Sequence, residues 1–244
     1  MNQTIKEIYN RKSVRMFKDE PITGEEKRII LEAALQAPSA GNMALYSMID
    51  IVDQELKEKL AVLCDHQPFI AKAPMVIVFL ADYQKWFDIF NEYTEGVEKL
   101  EESDFFLATE DCMIAAQNSV VAAQSLGIGS CYIGDILENY EIVQELLNLP
   151  KYAIPYTMLV FGKPTQQQIQ RQKPQRFALE DMLHVNQYQS KTREQTEQMF
   201  IKQTGKTGED LEKYIQSFAK RKFFTEFRYE MNRSSREMLK AWLK

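Results

Sequence analysis

The sequence predicts a layered domain in which helices cover a sheet, of either the α/β or the α+β class. Residues 105–126 form an uninterrupted helical pattern, and a short β-prone segment bounded by glycines follows at 129–133. An apolar run at 74–82 is typical of a strand that is covered on both faces. Strand and helix patterns alternate through the rest of the first two-thirds of the chain, as layered folds require.

Composition and charge restrict the function classes. The 244 residues are 45% hydrophobic and 27% charged, as in ordinary globular proteins, and we expect one domain over residues 1–244. A net charge of -5 argues against a general nucleic-acid binder. The three cysteines form no CxxC pair, and no metal-binding motif is present. Without an apolar signal core or a membrane-length apolar run, we expect a cytoplasmic protein that binds no membrane.

The N-terminal half opens with helical patterns. Thr23 and Glu26 form a predicted capping box for a helix that ends before Pro38. The other predicted elements of this half are a helix at 2–10, a small polar loop at 38–42, a strand at 44–53, a helix at 54–64, the buried strand at 74–82 and a helical segment at 83–103.

The helix at 105–126 is apolar around most of its girth, which predicts a position inside the molecule or at a subunit interface. Gly127 stands where a helix C-terminus favours positive φ. Gly134 follows the strand at 129–133, where it either makes a turn or lets a flat ligand approach the backbone. Later predicted elements are a helix at 138–149, a strand at 156–162, a surface connector at 165–177 and helices from 191 onward.

The C-terminal segment 220–244 is basic, with eight Lys or Arg against three Glu. One interpretation is a solvated helix that turns its apolar side chains inward. The other is a surface that faces an acidic or anionic partner. The apolar side chains expected to pack inward are Phe223, Phe224, Phe227, Met231, Leu239 and Trp242.

No pattern of a catalytic triad, a phosphate-binding loop or a dinucleotide fingerprint is present. We therefore name no catalytic side chain. What remains is a cluster of three cations and a hydroxyl within five residues, formed by Arg11, Lys12, Ser13 and Arg15. Such groups give charge-assisted hydrogen bonds to phosphate oxygens. Alternatively, the cations only complement the C-terminal dipole of the preceding helix.

Several motifs recur together in an order that is more specific than any one of them. They are RKSVR with FKDEPI close behind, APSAGN, PMVIVFLAD, AAQSLGIGSCYIGDI, LPKYAIPYTMLVFGKP and QKPQRF. In order and spacing the sequence resembles the FMN-dependent oxygen-insensitive nitroreductases and NAD(P)H-flavin oxidoreductases, particularly the flavin reductase P type, over nearly the whole chain.

The resemblance implies an α+β, nitroreductase-like three-layer fold, with a central, mostly antiparallel sheet flanked by helices. It implies one FMN-binding domain over residues 1–244, in which residues 187–244 form a helical C-terminal extension that wraps the partner of a homodimer. The interface would explain both the apolar helix and the basic tail.

The resemblance also implies which residues bind FMN. Arg11, Lys12, Ser13 and Arg15 would receive its phosphate and ribityl chain. Ser39, Ala40, Gly41 and Asn42 would line the pocket from the other subunit. Gln67 would bind the pyrimidine edge of the ring, and Tyr132, Ile133 and Gly134 would pass beside the ring. Lys173 and Arg176 would complete the anion site, with Gln175 as the alternative to Arg176.

The implied activity is a two-electron, ping-pong reduction of nitroaromatics, quinones or flavins, with NADPH or NADH as reductant. Flavin supplies the redox chemistry, so no acid–base pair is required. One alternative is a non-catalytic FMN-binding protein, a flavin reservoir or sensor. The other is a structural or nucleic-acid-binding protein that uses its basic C-terminus.

Overall fold

The computed structural model describes all 244 residues, and its centre is one antiparallel sheet. The four strands are β1 (Tyr46–Asp50), β2 (Met75–Asp82), β3 (Gly129–Ile133) and β4 (Ala153–Gly162). Their order in the sheet is β1-β2-β4-β3, and each neighbouring pair is antiparallel. Of the two classes that the patterns left open, the fold is therefore α+β, as the resemblance implied.

The helices precede, separate and follow the strands. They are α1 (Gln3–Asn10), α2 (Gly24–Leu35), α3 (Gln54–Leu63), α4 (Pro68–Ala71), α5 (Gln84–Tyr93), α6 (Glu102–Ser125), α7 (Tyr140–Leu146), α8 (Gln166–Gln170), α9 (Leu179–Met182), α10 (Arg193–Thr204), α11 (Gly208–Phe223) and α12 (Glu226–Leu243). Two short 3-10 helices lie at Ala40–Asn42 and Gly134–Leu137. No helix combines the length and apolar character that crossing a membrane requires.

Strand β2 divides the core into two layers because successive side chains point to opposite faces of a strand. Every one of its residues is buried. Ile77 and Phe79 join the cluster that contains residues of α2 and α6, whereas Val76 and Val78 join the cluster beneath α3 and α4. The three-layer arrangement follows from this alternation.

Helix α6 confirms the predicted helix and its ending. Gly127 has φ 73°, and β3 coincides with the predicted strand. One face of α6 is buried against the sheet, with Ala108, Cys112 and Ala116 fully covered. The opposite face exposes Phe106, Leu107, Met113 and Ile114. The helix is thus apolar on both sides, and only one side is covered within the chain.

The capping box of α2 is confirmed, since the Thr23 hydroxyl accepts from Glu26 N–H and the Glu26 carboxylate accepts from Thr23 N–H. Other boundaries were wrong by several residues. The helix predicted at 138–149 covers only Tyr140–Leu146, and the strand predicted at 156–162 begins at Ala153. The connector at 165–177 is not wholly on the surface, because Gln168 is buried in the short helix α8.

The chain divides into two compact units. The first contains residues 1–171 and 230–244, and the second contains residues 172–229 with α9, α10 and α11. The single domain over 1–244 and the helical extension at 187–244 stay predictions. Residues 230–244, the end of the predicted extension, belong to the first unit.

The tail packs inward through fewer side chains than predicted. Trp242 is fully buried, and its ring lies edge-on to Phe105 at 5.4 Å and to Tyr152 at 5.2 Å between centroids. The inward orientation predicted for Phe223, Phe224 and Leu239 was wrong, because all three are exposed. Periodicity alone did not identify which apolar positions face the core.

The end of the chain is fastened next to the segment that follows β3. Ser234 Oγ accepts from Tyr140 N–H at 2.9 Å and donates to the Leu137 carbonyl at 2.6 Å. Glu138, which lies between Leu137 and Tyr140 in the chain, is 6% exposed, and its Oε1 has no hydrogen-bond partner. Burial, followed by the charges of nearby carboxylates including Asp135, raises the pKa of Glu138 to about 7.

Two glycines let the N-terminal segment lie against the sheet. Gly129 and Gly162 face each other in neighbouring strands. A Cβ added to Gly129 would come within 2.5 Å of Val14 Cγ2, and one added to Gly162 would come within 2.5 Å of Phe17 Cδ1. Any side chain at these positions would therefore displace residues 14–17 from the sheet.

We predict that Gly129→Ala destabilises the protein by about 1 to 3 kcal/mol, because the added methyl group overpacks the contact with Val14. Urea or thermal unfolding measures the loss. Gly24→Ala is the control, since a Cβ there meets no atom within 4 Å. Equal stability of Gly129→Ala and the wild type would contradict the close approach.

We predict that Glu138→Gln removes part of the pH dependence of stability. In the unfolded chain Glu138 loses its proton as pH rises through 4.5. In the folded chain it keeps the proton until pH reaches about 7. The contribution of Glu138 therefore falls through this window, and at about pH 8 the variant should be more stable than the wild type by about 1 to 3 kcal/mol.

Thermal unfolding at about pH 5 and about pH 8 measures this difference between the proteins. The control is Glu145→Gln, which changes an exposed carboxylate of α7. Parallel pH profiles for Glu138→Gln and the wild type would contradict the assignment.

Candidate functional site

The basic motif at residues 11–15 runs beside β3. Val14 donates its N–H to the Ser130 carbonyl at 2.9 Å, and Ser13 forms a parallel bridge with Ser130. The motif is thus attached to the edge strand β3 by an isolated bridge. Its side chains are brought beside Cys131 and Tyr132, which follow Ser130 in β3.

Arg11 differs from the other cations of the motif in having a buried donor. Its Nη1 is buried and has no hydrogen-bond partner, which is costly for a charged group. The residue lies close enough to Tyr132 to oppose the effect of burial, which raises the pKa of that phenol to about 12. The Tyr132 hydroxyl itself donates to Gln117 Oε1 at 3.1 Å. A buried donor beside a strand end suits an anionic ligand group.

Arg15 and Ser13 adjoin the same strand. Burial raises the pKa of the Cys131 thiol, while Arg15, Ser13 and Arg11 act in the opposite direction. The exposed Arg15 guanidinium lies 5.8 Å from the ring centroid of Phe69. The structure therefore brings Arg11, Ser13 and Arg15 together around Cys131. That they bind a phosphate stays a prediction.

Lys12 is held differently from its neighbours. Its ammonium group donates to the Ile169 carbonyl at 2.7 Å and to the Arg171 carbonyl. Arg171 in turn donates to the Ser13 carbonyl. Two of the three Lys12 donors are thus used to tie the motif to residues 169–171. A phosphate contact by Lys12 stays a prediction, with one N–H left to make it.

Gln67 lies just before α4, the helix that contains Phe69. Its backbone N–H donates to the Ala61 carbonyl at 2.8 Å, and its side-chain Nε2 donates to the Cys64 carbonyl at 2.9 Å. These bonds fix the amide orientation and leave Oε1 as an acceptor for a ligand donor. The flavin contact predicted for Gln67 is compatible with this orientation.

The end of β3 provides open space. Ile133 is buried and Tyr132 half-buried, whereas Gly134 is exposed. A Cβ added to Gly134 would meet no atom within 4 Å, and its φ is not positive. Neither backbone conformation nor packing within the chain therefore requires glycine there. Of the two interpretations of Gly134, this favours close approach of a ligand.

The loop of Ser39, Ala40, Gly41 and Asn42 lies elsewhere in the chain, between α2 and β1. It is bound to α6 rather than to the basic motif, because Asp111 accepts its Ala40 N–H at 3.0 Å. Lys173 and Arg176 belong to the second unit. The assignment of all six residues to the cofactor site stays a prediction from the resemblance.

Sequence reasoning missed three residues that support the site. Gln168 accepts the Arg15 N–H at 3.4 Å, and Arg171 binds the Ser13 carbonyl. Asp111 is a buried carboxylate in an apolar helix. An acidic residue in such a helix was the signal in the sequence that could have identified it. Nothing local distinguishes Gln168 or Arg171, since both lie far along the chain from the motif they hold.

Comparisons with known proteins identify the family of this chain. The model of the nitroreductase family matches residues 8–163. The chain is 34% identical to FMN reductase (NADPH) of Bacillus subtilis over 194 residues, covering 79% of this chain and 77% of the relative. It is 35% identical to the oxygen-insensitive NADPH nitroreductase of Salmonella typhimurium over 189 residues, covering 78% of this chain and 76% of the relative.

Solved structures extend the likeness over the whole length. NADPH:FMN oxidoreductase from Vibrio harveyi, in complex with NAD+, superposes with a TM-score of 0.82 at 27% identity, covering 98% of each chain. NfrA1 of B. megaterium superposes with a TM-score of 0.82 at 28% identity, covering 97% of this chain and 98% of that one. With the family match extending over more than half of its residues, this chain belongs to the nitroreductase family.

Proposed function

We propose that this chain is an FMN-dependent NAD(P)H oxidoreductase that reduces nitroaromatics, quinones or flavins. The observation that carries the proposal is the buried, unpartnered Nη1 of Arg11 within a cluster of cations beside the glycine-ended strand β3. The relatives named FMN reductase and NADPH nitroreductase support the same chemistry.

The residues present fit FMN. Arg11, Ser13 and Arg15 provide charge and hydrogen-bond donors for its phosphate, and the open space beside Gly134 admits a flat ring. When bound, FMN would supply two-electron transfer, taking hydride from NAD(P)H and delivering it to the acceptor in a ping-pong cycle. The chain itself binds and orients the cofactor, so the absence of an acid–base pair agrees with the proposal.

Turnover distinguishes an enzyme from a flavin reservoir or sensor. The purified protein should be yellow, with about one FMN per chain, and should oxidise NAD(P)H steadily when a quinone or nitroaromatic is added. A flavin-loaded protein without such oxidation would support the reservoir or sensor. A protein that cannot be loaded with FMN would overturn the proposal. A cytoplasmic location of the protein is part of the same proposal.

We predict that Arg15→Ala weakens FMN binding roughly 10- to 150-fold, because each charge-assisted hydrogen bond to phosphate is worth about 1.5 to 3 kcal/mol. Fluorescence titration of FMN into the flavin-free chain measures this change. At saturating FMN most of kcat should return, because the phosphate is remote from the reacting atoms.

Arg28→Ala is the matched control, since Arg28 is exposed and pairs with Glu32 on α2. Its FMN affinity should equal that of the wild type. Unchanged affinity in Arg15→Ala would remove Arg15 from the site and favour the helix-dipole interpretation of the motif.

We further propose a homodimer that uses the exposed apolar face of α6. Phe106, Met113 and Ile114 lie on this face, and Ile8 and Tyr9 of α1 are exposed as well. A row of large apolar side chains of this kind is typical of a subunit interface. In this arrangement each subunit would contribute to the pocket of the other through its Ser39–Asn42 loop.

We predict that Ile114→Glu converts the dimer to a monomer at micromolar concentration and lowers FMN retention, because a buried unpaired charge opposes association. Sedimentation velocity measures the mass. The matched control is Ile142→Glu, which places the same charge at an exposed position of α7 and should leave the dimer intact. A wild type that sediments as a flavin-loaded monomer would refute the proposal.

A further inference from the structure

Asp111 is a buried carboxylate in the middle of α6. It is 3% exposed, on the face of α6 that otherwise packs apolar and small side chains against the sheet. Its Oδ1 accepts the Ala40 N–H at 3.0 Å, and its Oδ2 accepts the Leu45 N–H at 3.0 Å. The two oxygens therefore hold both ends of the short segment that contains Gly41 and Asn42.

That segment has an unfavourable backbone. Gly41, Asn42 and Ala44 have φ values of 56°, 59° and 49°. An L residue in this region costs conformational energy, and alanine has no side-chain hydrogen bond to compensate. Such conformations persist only where the surroundings impose them, and they concentrate at ligand sites. Asp111 binds the backbone at both ends of this segment.

The other bonds of the loop also point inward. Ser39 Oγ accepts the Ala44 N–H at 3.0 Å, and Trp86 Nε1 donates to the Met43 carbonyl at 2.7 Å. Gly41 N–H has no partner in the chain, and both Gly41 and Asn42 are exposed. The loop segment is thus bound to α5 and α6, and its tip, Gly41 and Asn42, stays accessible to a ligand.

We propose that Asp111 is a positioning residue, which presets the Ser39–Asn42 loop for FMN before the cofactor binds. It does not touch the cofactor. The inference rests on the proposed function, because the role of this loop as a wall of the flavin pocket is part of that proposal. The inference also explains why a carboxylate lies inside α6: each of its two oxygens accepts one backbone N–H of the loop segment.

The test is Asp111→Asn, which keeps the shape but replaces one acceptor oxygen with an NH2 group that faces a backbone donor. FMN affinity should fall by roughly 10-fold or more, on the scale of hydrogen bonds to charged groups. At saturating FMN, kcat should return while the KM for the acceptor stays raised, because the loop borders the pocket and not the reacting atoms.

Ser119→Ala is the control for a purely structural effect. Ser119 is fully buried on the same helix, and its hydroxyl bonds only to the Ala116 carbonyl. It should lose stability but retain FMN affinity. Wild-type affinity in Asp111→Asn would overturn the inference while leaving the proposed function intact. A wild type that binds no FMN would instead overturn the proposed function.

Amide hydrogen exchange of the flavin-free wild type decides the matter even if Asp111→Asn does not fold. If the loop is preset, the Ala40 and Leu45 amides are protected before FMN is added. Protection that appears only with FMN would mean that the cofactor orders the loop, and would overturn the role of Asp111.

Discussion

The close approach of residues 13–17 to the sheet is the constraint on which the candidate site depends. It requires that Gly129 and Gly162, which face each other in β3 and β4, have no side chain. Val14 and Phe17 fill that space, Ser13 and Val14 pair with Ser130 of β3, and Arg11 and Arg15 come beside Cys131 of the same strand. Lys12 and Arg171 then fasten the segment from its other side.

Three buried charged groups show three ways of meeting the cost of desolvation. Asp111 accepts two backbone N–H groups, one at each of its oxygens. Glu138 has an unpartnered oxygen, and its pKa is raised toward neutrality instead. The buried Nη1 of Arg11 has no partner within the chain, and the phosphate of the proposed cofactor would provide one.

Helix α6 connects the core to the site. Its inner face packs against the sheet, Asp111 holds the Ser39–Asn42 loop, and Gln117 accepts from the Tyr132 hydroxyl beside Arg11. Its outer face exposes Phe106 and Ile114. A partner that covered this face would therefore contact the helix that supports both Tyr132 and the Ser39–Asn42 loop.

The sequence by itself determined what local patterns encode: the length of α6, the positive φ at Gly127, the capping box at Thr23 and the four strands, because periodicity and caps act over a few residues. The order of motifs also indicated the family. Only the tertiary structure decided strand order, which of the tail's apolar residues are buried, and the partners of Arg11, Lys12 and Asp111. Those depend on contacts between residues far apart in the chain, such as Lys12 with Arg171, which no local pattern records.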